Sequence, residues 1–198
     1  TLNGYFNYGN RLQLFALSKV LGEMGDEVVV YWPKSFKARI KEFLRYNTPL
    51  RFGFNKEVKI KRFTKKYIPK VSSNAKTEYS IVGSDQVWNP EYLKSRPYLL
   101  NVPNDSIKVS YAASLGVDVL ADEQKEMFKK ASKNYSAISV RERSAQKILQ
   151  PLADKKVEVV LDPTLLLDAT EYEKMEKRPK DVAIGEKYVL CYILGNRE

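Results

Sequence analysis

Apolar residues recur along the chain either at helical spacing or in short runs, and together these patterns predict strands separated by helices. The first helix is predicted to open at Asn10 and Arg11 and to end at Gly25-Asp26. Its inward face is predicted from the apolar residues at helical spacing: Leu14, Ala16, Leu17, Val20, Leu21 and Met24. A short buried strand, residues 28–31, is predicted to follow.

The alternation of strands and helices continues to residue 161. Further strands are predicted at residues 79–82, 107–112, 137–140 and 157–161, and helices at about 35–45, just before Pro69, at about 122–133 and at about 141–149. Asp122 is predicted to cap its helix, whose Met127, Phe128 and Ala131 face inward. Short apolar strands that alternate with helices are typical of a parallel sheet covered on both faces, so the sequence predicts an α/β, Rossmann-like fold.

At each end of the chain the sequence pattern is that of a strand separated from the rest of its sheet. Residues 1–4 resemble the tail of a first strand, and the apolar run 188–194 forms a strong strand pattern after a charged segment. We therefore predict a Rossmann-like domain over residues 1–168, a linker over 169–187 and the first strand of a C-terminal domain over 188–198. No apolar run reaches about 18 residues, so no membrane span is predicted, and residues 1–5 lack the pattern of a signal peptide.

The charge of the chain points to anionic partners. It carries 34 Lys and Arg against 24 Asp and Glu, a formal net charge of +10, and the cations are densest between residues 36 and 70. Aromatic residues are interleaved there, as a surface for stacking bases would require, but no nucleic-acid-binding motif accompanies them. The sequence therefore disfavours nucleic acid and leaves two alternatives for this block, contact with an anionic membrane surface or a plain solvated face.

Several kinds of chemistry are excluded by what the sequence lacks. It contains no histidine and a single cysteine, Cys191, so neither a Ser-His nor a Cys-His nucleophile can be built from these residues, and a metal site has little support. A Rossmann glycine fingerprint and a Walker A motif are also absent. We therefore predict no metal and no cofactor. A single cysteine fits a reducing cytoplasm.

Polar segments are predicted at the carboxyl ends of the strands, where parallel sheets bind ligands. They are residues 7–11, 83–90, 112–114, 139–142 and 162–163. Asp162 before Pro163 also suits a helix N-cap with Pro at the first helical position, and Ser114 and Gly116 also suit tight packing. Each of these residues therefore has both a structural and a functional interpretation.

Arg11 and Arg141 are predicted to stand at the beginnings of helices, where the helix dipole is already positive. A cation in this position is favourable when an anion lies close to it. For Arg141 that anion is either the adjacent Glu142 or an external phosphate or carboxylate held by the guanidinium group.

The segment from Gly83 to Pro90 is the richest in candidate binding groups. Ser84, Asp85, Gln86 and Asn89 provide donors and acceptors beside the indole of Trp88, a combination suited to gripping a sugar. In the alternative interpretation Trp88 is a core residue and Asp85 a cap. The sequence predicts Trp88 to be partly exposed if the first interpretation holds.

Five segments, "GYFNYGNRLQLFAL", "IVGSDQVWNP", "SYAASLG", "ISVRE" and "VLDPTLLL", occur in an order and spacing that resemble the polysaccharide pyruvyl transferase family. The resemblance runs from about Gly4 to Leu167, and "YVLCYIL" is similar to the strand that opens the family's second domain. It implies the N-terminal half of a two-domain enzyme of the GT-B type. The implied reaction moves the pyruvyl group of phosphoenolpyruvate to a saccharide, a sugar of a cell-surface polysaccharide or of its lipid-linked precursor.

The resemblance also implies roles for individual residues. Arg141 and Asp85 are the candidate catalytic residues, Arg141 as the group that holds an anion. The candidate substrate-binding residues are Gly9, which permits close approach, Asn10 and Arg11, which point toward the ligand, and Ser84, Gln86, Trp88, Asn89 and Ser114. The family is associated with a histidine in its second half, which this chain lacks, so the general acid is predicted to lie outside these residues and this chain alone to be inactive.

The implied location is the cytoplasm, at the inner face of the membrane if the basic residues contact lipid. Two other functions remain open at this point. One is a GT-B glycosyltransferase that uses a nucleotide sugar, because a fold does not fix its chemistry. The other is a basic nucleic-acid-binding domain that uses residues 36–70.

Overall fold

The computed structural model describes most of the chain. The described residues are 1–2, 4, 7–33, 37, 40, 43–44, 55–74, 76–102, 105–177, 182–183, 185, 187–189 and 191. The chain divides into two compact units, Thr1–Leu167 and Asp168–Glu198. Most of the helix predicted at 35–45, much of the basic block 36–70 and most of the strand predicted at 188–194 lie outside the described residues.

Helices and strands alternate along the first unit. The helices are α1 (Tyr8–Glu23), α2 (Asn55–Tyr67), α3 (Pro90–Ser95), α4 (Asp122–Ser132) and α5 (Arg143–Leu149), with α6 (Ala169–Glu173) in the second unit. The strands are β1 (Val30–Tyr31), β2 (Val71–Ser72), β3 (Tyr79–Val82), β4 (Ile107–Ala113), β5 (Tyr135–Val140) and β6 (Val157–Val159). Short 3₁₀ turns occur at Pro97–Leu99, Gln150–Leu152 and Pro163–Leu165.

The central feature of the first unit is a four-stranded parallel sheet in the order β3-β4-β5-β6. A separate parallel pair joins β1 to β2, with Val30 opposite Val71. Because all four strands of the larger sheet run in the same direction, their carboxyl ends lie along one edge. The predicted α/β, Rossmann-like fold is therefore confirmed.

The hydrophobic core packs the sheet against α4 and α5. Val140 and Val157 of the sheet, Phe128 of α4 and Leu149 of α5 are all buried. Strands covered by helices need apolar residues on the buried face, and the short apolar runs of the sequence supply them. Each such large side chain, once buried, stabilises the fold by about 1.5–3 kcal/mol.

Trp88 belongs to this core, and the prediction that it is partly exposed is wrong. Its side chain is 2% exposed, and its ring meets those of Phe128 and Tyr135 edge to face at centroid distances of 5.8 and 5.7 Å. Its Nε1 donates to the carbonyl of Leu99 at 3.1 Å, which satisfies the one polar group of the indole. A fully enclosed ring of this kind offers no face for stacking on a sugar.

The first helix begins earlier than its sequence predicts. α1 starts at Tyr8 and is capped by Asn7, whose side chain accepts a hydrogen bond from the backbone nitrogen of Gly9 at 2.7 Å. Asn10 therefore lies inside the helix and is not its cap. At the other end the helix stops at Glu23, before the predicted Gly25, but Met24 is 74% exposed and lies outside the core, contrary to the prediction.

The N-termini of two later helices also differ from the prediction. The N-cap of α4 is Ala121 and not Asp122, and Met127, predicted to face inward, is exposed, while Phe128 and Ala131 are buried as predicted. α5 begins at Arg143, with Glu142 at the cap, so Arg141 precedes the helix. None of the helices in the described part of the chain combines the length and apolar character needed to cross a membrane.

Candidate functional site

Polar side chains from four loops and one helix meet along the carboxyl edge of the sheet. Asn10 and Gln13 lie one turn apart on α1 and therefore on the same side of that helix. Asn10 donates through Nδ2 to Oδ2 of Asp85, in the loop after β3. Gln13 donates through Nε2 to Oδ2 of Asp162, in the loop after β6, at 2.6 Å. One face of α1 is thus tied to the loops after both outer strands of the sheet.

The loop after β3 leaves the sheet by a tight path. Gly83 has φ of +136°, and a Cβ atom there would lie 1.8 Å from the carbonyl oxygen of Tyr111. Asp85 has φ of +75°, an unusual conformation that Asp tolerates better than most residues, and its carbonyl accepts from Ser114 at 2.9 Å. Strained backbone persists where surrounding structure enforces it, and it concentrates at functional sites.

Arg11 does not point toward a ligand, and that prediction is wrong. Its side chain is 1% exposed and donates through Nη2 to the carbonyl of Leu2 at 2.7 Å. Because α1 starts at Tyr8, position 11 faces the interior, where its guanidinium group bonds to the protein itself. Gly9 lies in the exposed first turn of α1, away from the buried cluster.

Two buried polar atoms beside Asp85 stand out. Within the described part of the chain, Oδ1 of Asn10 and Oγ of Ser84 accept and donate no hydrogen bond, although both residues are almost fully enclosed. Leaving such a group unpaired costs about 1–3 kcal/mol, so each atom is a candidate to bond a ligand or an ordered water.

Asn89 and Gln86 have structural partners. Asn89 is the N-cap of α3, because its Oδ1 accepts from the backbone nitrogen of Glu91 at 3.0 Å. Its Nδ2 donates to Oε1 of Gln86 at 3.3 Å and so fixes the amide of Gln86. The cap in this segment is therefore Asn89 and not Asp85.

Arg141 is held by two carboxylates. Its Nε donates to Oε1 of Glu142 at 2.7 Å and its Nη1 to Oδ2 of Asp162 at 3.1 Å, while its side chain remains 28% exposed. The internal partner Glu142, one of the two alternatives raised by the sequence, is thus present. Burial alone would lower the pKa of Arg141, but the hydrogen bonds and charges of Glu142 and Asp162 outweigh it and raise that pKa.

Asp162 joins this pair to two other elements. It caps the 3₁₀ turn Pro163–Leu165, as predicted, by accepting from the backbone nitrogen of Thr164 at 3.0 Å and from its hydroxyl at 2.7 Å. Burial alone would raise the pKa of Asp162, but the hydrogen bonds from Thr164, Gln13 and Arg141 lower it overall. The sequence analysis missed Gln13 and Thr164, although the spacing of three residues from Asn10 places Gln13 on the same face of a helix.

A pocket of about 160 Å³ opens beside Arg141 at this edge. Its polar lining residues are Gln86, Ser114, Asp118, Arg141, Glu142 and Ser144. Gly116 forms part of its wall, with φ of +63°, and a Cβ atom there would lie 2.5 Å from Cδ of Gln86. The absence of a side chain at Gly116 is what allows Gln86 to lie against it.

The structure therefore sorts the predicted residues into three groups. Gln86, Ser114 and Arg141 line the pocket, and Asn10, Ser84 and Asp85 form an adjacent polar cluster. The remaining predicted residues, Gly9, Arg11, Trp88 and Asn89, do not line it. In the described ranges no three residues of the types His, Cys, Asp or Glu are grouped so as to hold a metal ion.

The family of the chain follows from comparison with known proteins. No curated protein and no solved structure matches it. A family model described as polysaccharide pyruvyl transferase, in contrast, matches residues 7–197 of the 198, a span that includes α1 and every loop of the carboxyl edge. Such a match indicates a transferase with a polysaccharide acceptor in general terms. Because it extends over nearly the whole sequence, the chain belongs to the polysaccharide pyruvyl transferase family.

Proposed function

We propose that the protein transfers the pyruvyl group of phosphoenolpyruvate to a sugar of a cell-surface polysaccharide or of its lipid-linked precursor. The observation that carries the proposal is the family match over residues 7–197. The proposed architecture is of the GT-B type, with residues 1–168 as the N-terminal domain, 169–187 as a linker and 188–198 as the first strand of the next domain. The proposed location is the cytoplasm, at the inner face of the membrane.

The reaction sets clear chemical requirements. A proton must be added to the methylene carbon of phosphoenolpyruvate, so that C2 becomes electrophilic. Two sugar hydroxyls then form bonds to C2 and lose their protons, and the C2–O bond to phosphate breaks. A site for this chemistry needs an acid, a base for the hydroxyl protons, cations for the carboxylate and phosphate, and groups that orient the sugar.

Asp85 is the proposed base for a sugar hydroxyl. It is only half-buried, and the preceding and following residues, Ser84 and Gln86, link the buried cluster to the pocket. Asn10 fixes one carboxylate oxygen of Asp85 through a hydrogen bond. Holding one oxygen in this way orients the other, which is what a general base requires.

The pocket itself is better suited to sugar hydroxyls than to an anion that only Arg141 would neutralise. Arg141 brings one positive charge, whereas Glu142, Asp162 and Asp118 bring three negative charges to the same region. A unit charge about 4 Å away is worth roughly 4 kcal/mol near a protein surface, so these carboxylates oppose a further anion. The amide of Gln86 and the hydroxyls of Ser114 and Ser144 suit hydroxyl groups.

Arg141 is nevertheless the proposed contact for the donor's carboxylate or phosphate. Its two ion pairs use Nε and Nη1, and within the described residues Nη2 takes part in no hydrogen bond. Glu142 and Asp162 therefore orient the guanidinium plane while one nitrogen stays available to the pocket. Under this proposal the remaining cations and the general acid lie outside residues 1–198.

The test is an assay of the native protein with phosphoenolpyruvate and a panel of methyl hexopyranosides. Phosphate release that depends on the acceptor, together with a pyruvyl ketal identified on the sugar by mass spectrometry, is the expected result. Asp85→Asn should abolish both signals. Transfer of a sugar from a nucleotide sugar, with no release of phosphate from phosphoenolpyruvate, would instead establish glycosyl transfer and refute the proposal.

A further inference from the structure

The helix α2 has one face packed against the first unit. Ile60 and Thr64 are buried, and the rings of Phe63 and Tyr67 meet Phe15 of α1 edge to face at centroid distances of 6.4 and 6.0 Å. Phe15 lies two residues after Gln13, which binds the carboxyl edge. α2 is therefore anchored directly on the helix that reaches the candidate site.

The exposed side of α2 is cationic. Lys56, Lys59, Arg62 and Lys66 are exposed on the helix, and Lys70 is exposed just after it. Their spacings of three, three, four and four residues place them in one row, which we call the cationic stripe. At about 1.5 Å per residue this row is roughly 20 Å long.

No carboxylate of the described residues neutralises the charges of the cationic stripe. Glu57 is the one acidic residue of α2, and no member of the stripe forms an ion pair within the described residues. Lys66 lies over the ring of Tyr67 at 4.7 Å. On α3, in contrast, Lys94 pairs with Glu91 three residues earlier at 2.7 Å.

We infer that the cationic stripe docks the protein on the anionic surface of a lipid bilayer. A row of lysine-rich point charges complements a plane of lipid headgroups without requiring a particular geometry. Nucleic acid would require aromatic faces beside the cations, but Phe63 and Tyr67 are engaged with Phe15. The inference rests on the proposed function and on the second of its two acceptors, a sugar of the lipid-linked precursor.

Docking through α2 has a direct consequence for the site. α2 is fixed to α1 by Phe15, and α1 carries Asn10 and Gln13 to the carboxyl edge. A bilayer held by the cationic stripe therefore keeps the site at a fixed distance from the headgroups, where the sugar of a lipid-linked acceptor is found.

The experiment measures sedimentation of the native protein with two kinds of vesicle, phosphatidylcholine alone and phosphatidylcholine with one third phosphatidylglycerol. The stripe variant replaces four cations, as Lys56→Gln, Lys59→Gln, Arg62→Gln and Lys66→Gln. The matched control removes the same charge from ion-paired lysines on other helices, as Lys94→Gln, Lys125→Gln, Lys129→Gln and Lys174→Gln. Thermal unfolding of both variants checks that each remains folded.

The native protein and the control variant should bind only the vesicles that contain phosphatidylglycerol. Each cation near the surface contributes about a fivefold gain, so the stripe variant should lose on the order of 100-fold or more in partitioning. Binding should also weaken as salt rises, because screening acts over about 10 Å at 0.1 M.

Three results would overturn the inference. The first is that the stripe variant binds anionic vesicles as tightly as the native protein, and the second is that the control variant loses as much vesicle binding as the stripe variant. The third is that the native protein binds a single-stranded RNA oligonucleotide more tightly than the anionic vesicles. Vesicle binding involves no catalytic step. A protein that transfers pyruvate without binding vesicles would therefore contradict this inference alone, and one that binds vesicles without transferring pyruvate would contradict the proposed function alone.

Discussion

Arg141 occupies a position in which one guanidinium group serves both the fold and the site. Two of its nitrogens hold Glu142 and Asp162, at 2.7 and 3.1 Å, and the side chain still borders the pocket. These two uses have different signatures. Loss of an ion pair appears as lower stability, whereas loss of a substrate contact appears as lower activity in each folded molecule.

We expect Arg141→Met in the native protein to produce both effects. Removing hydrogen bonds to two carboxylates should lower the free energy of unfolding by about 1–3 kcal/mol. Losing a charge-assisted contact to the donor should lower kcat/KM by at least about 30-fold, equivalent to about 2 kcal/mol. Thermal unfolding and steady-state kinetics, measured on the same preparation, check the two effects separately.

Arg141→Lys tests geometry in addition to charge. It keeps the charge but loses the planar fork that reaches Glu142 and Asp162 together, so at best partial recovery of kcat/KM is expected. A destabilised Arg141→Met protein with undiminished kcat/KM would remove Arg141 from the catalytic machinery and leave it the role of an internal ion pair.

Asp162 should make stability depend on pH. Its pKa is lower in the folded protein than in the unfolded chain, so the stability it contributes is present above the unfolded pKa and is lost as the pH falls through the folded pKa. We therefore expect the melting temperature to fall below about pH 4, and Asp162→Asn to flatten that fall. Asp26→Asn is the control, because Asp26 is exposed and its carboxylate takes part in no hydrogen bond or ion pair within the described residues. A melting curve that Asp162→Asn leaves as steep as the native one would contradict the expectation.

Single residues show how far the sequence could predict the site. The cap formed by Asp162 and the contact of Arg141 with Glu142 were predictable, because both involve neighbours in the chain. The contact between Gln13 and Asp162 was not, because the two are 149 residues apart. Whether Trp88 faced the core or a ligand was equally open, since a tryptophan at a strand end fits both.

At the scale of elements, α1 shows why the boundaries of helices are hard to predict. Asn7 and Asn10 are both good cap residues, and the sequence alone favours neither. Beginning at Tyr8 adds most of a turn, which moves Arg11 to the interior and brings Asn10 to Asp85. The existence of the larger strands and helices was predictable from periodicity, whereas β2, only two residues long, gave no signal.

The contact between the end of β3 and β4 should tolerate no side chain. A Cβ atom at Gly83 would overlap the carbonyl oxygen of Tyr111, and φ of +136° is strained for any other residue. We expect Gly83→Ala to destabilise the protein by about 3 kcal/mol or more. The measurement is urea unfolding of the native protein and the variant.

Gly22→Ala is the matched control. Gly22 lies within α1, and a Cβ atom there would meet nothing within 4 Å. Because alanine is the better helix former, this variant should gain up to about 0.5–1 kcal/mol. Similar losses in both variants would show that the close approach at Gly83 does not determine the outcome.

At the scale of the whole molecule, the described part of the first unit contains one candidate base, Asp85, and one candidate donor contact, Arg141. Among the described residues that line the pocket we identify no general acid for the methylene carbon, and the sequence has no histidine. Under the proposed two-domain arrangement, the general acid is therefore assigned to the C-terminal domain.

We accordingly expect a protein limited to residues 1–198 to release no phosphate above background from phosphoenolpyruvate with the methyl hexopyranosides. The native protein assayed in parallel is the positive control, and circular dichroism checks that the shorter chain is folded. Turnover by the shorter chain at the native rate would refute the division of the site between two domains.

The order of strands has a consequence for how the site comes into being during synthesis. β3 to β6 pair with their neighbours in the chain, so the sheet can grow as each strand leaves the ribosome. The contact of Gln13 with Asp162 must wait for 149 further residues, roughly 7–30 s at ordinary translation rates. Phe15 of α1 can meet Phe63 and Tyr67 of α2 early in synthesis, whereas Gln13 can reach Asp162 only after β6 is made. Pulsed hydrogen exchange on stalled nascent chains should therefore find the amides of β4 and β5 protected before the carboxyl edge is closed, and in that interval a chaperone could bind the loop that ends in Asp162.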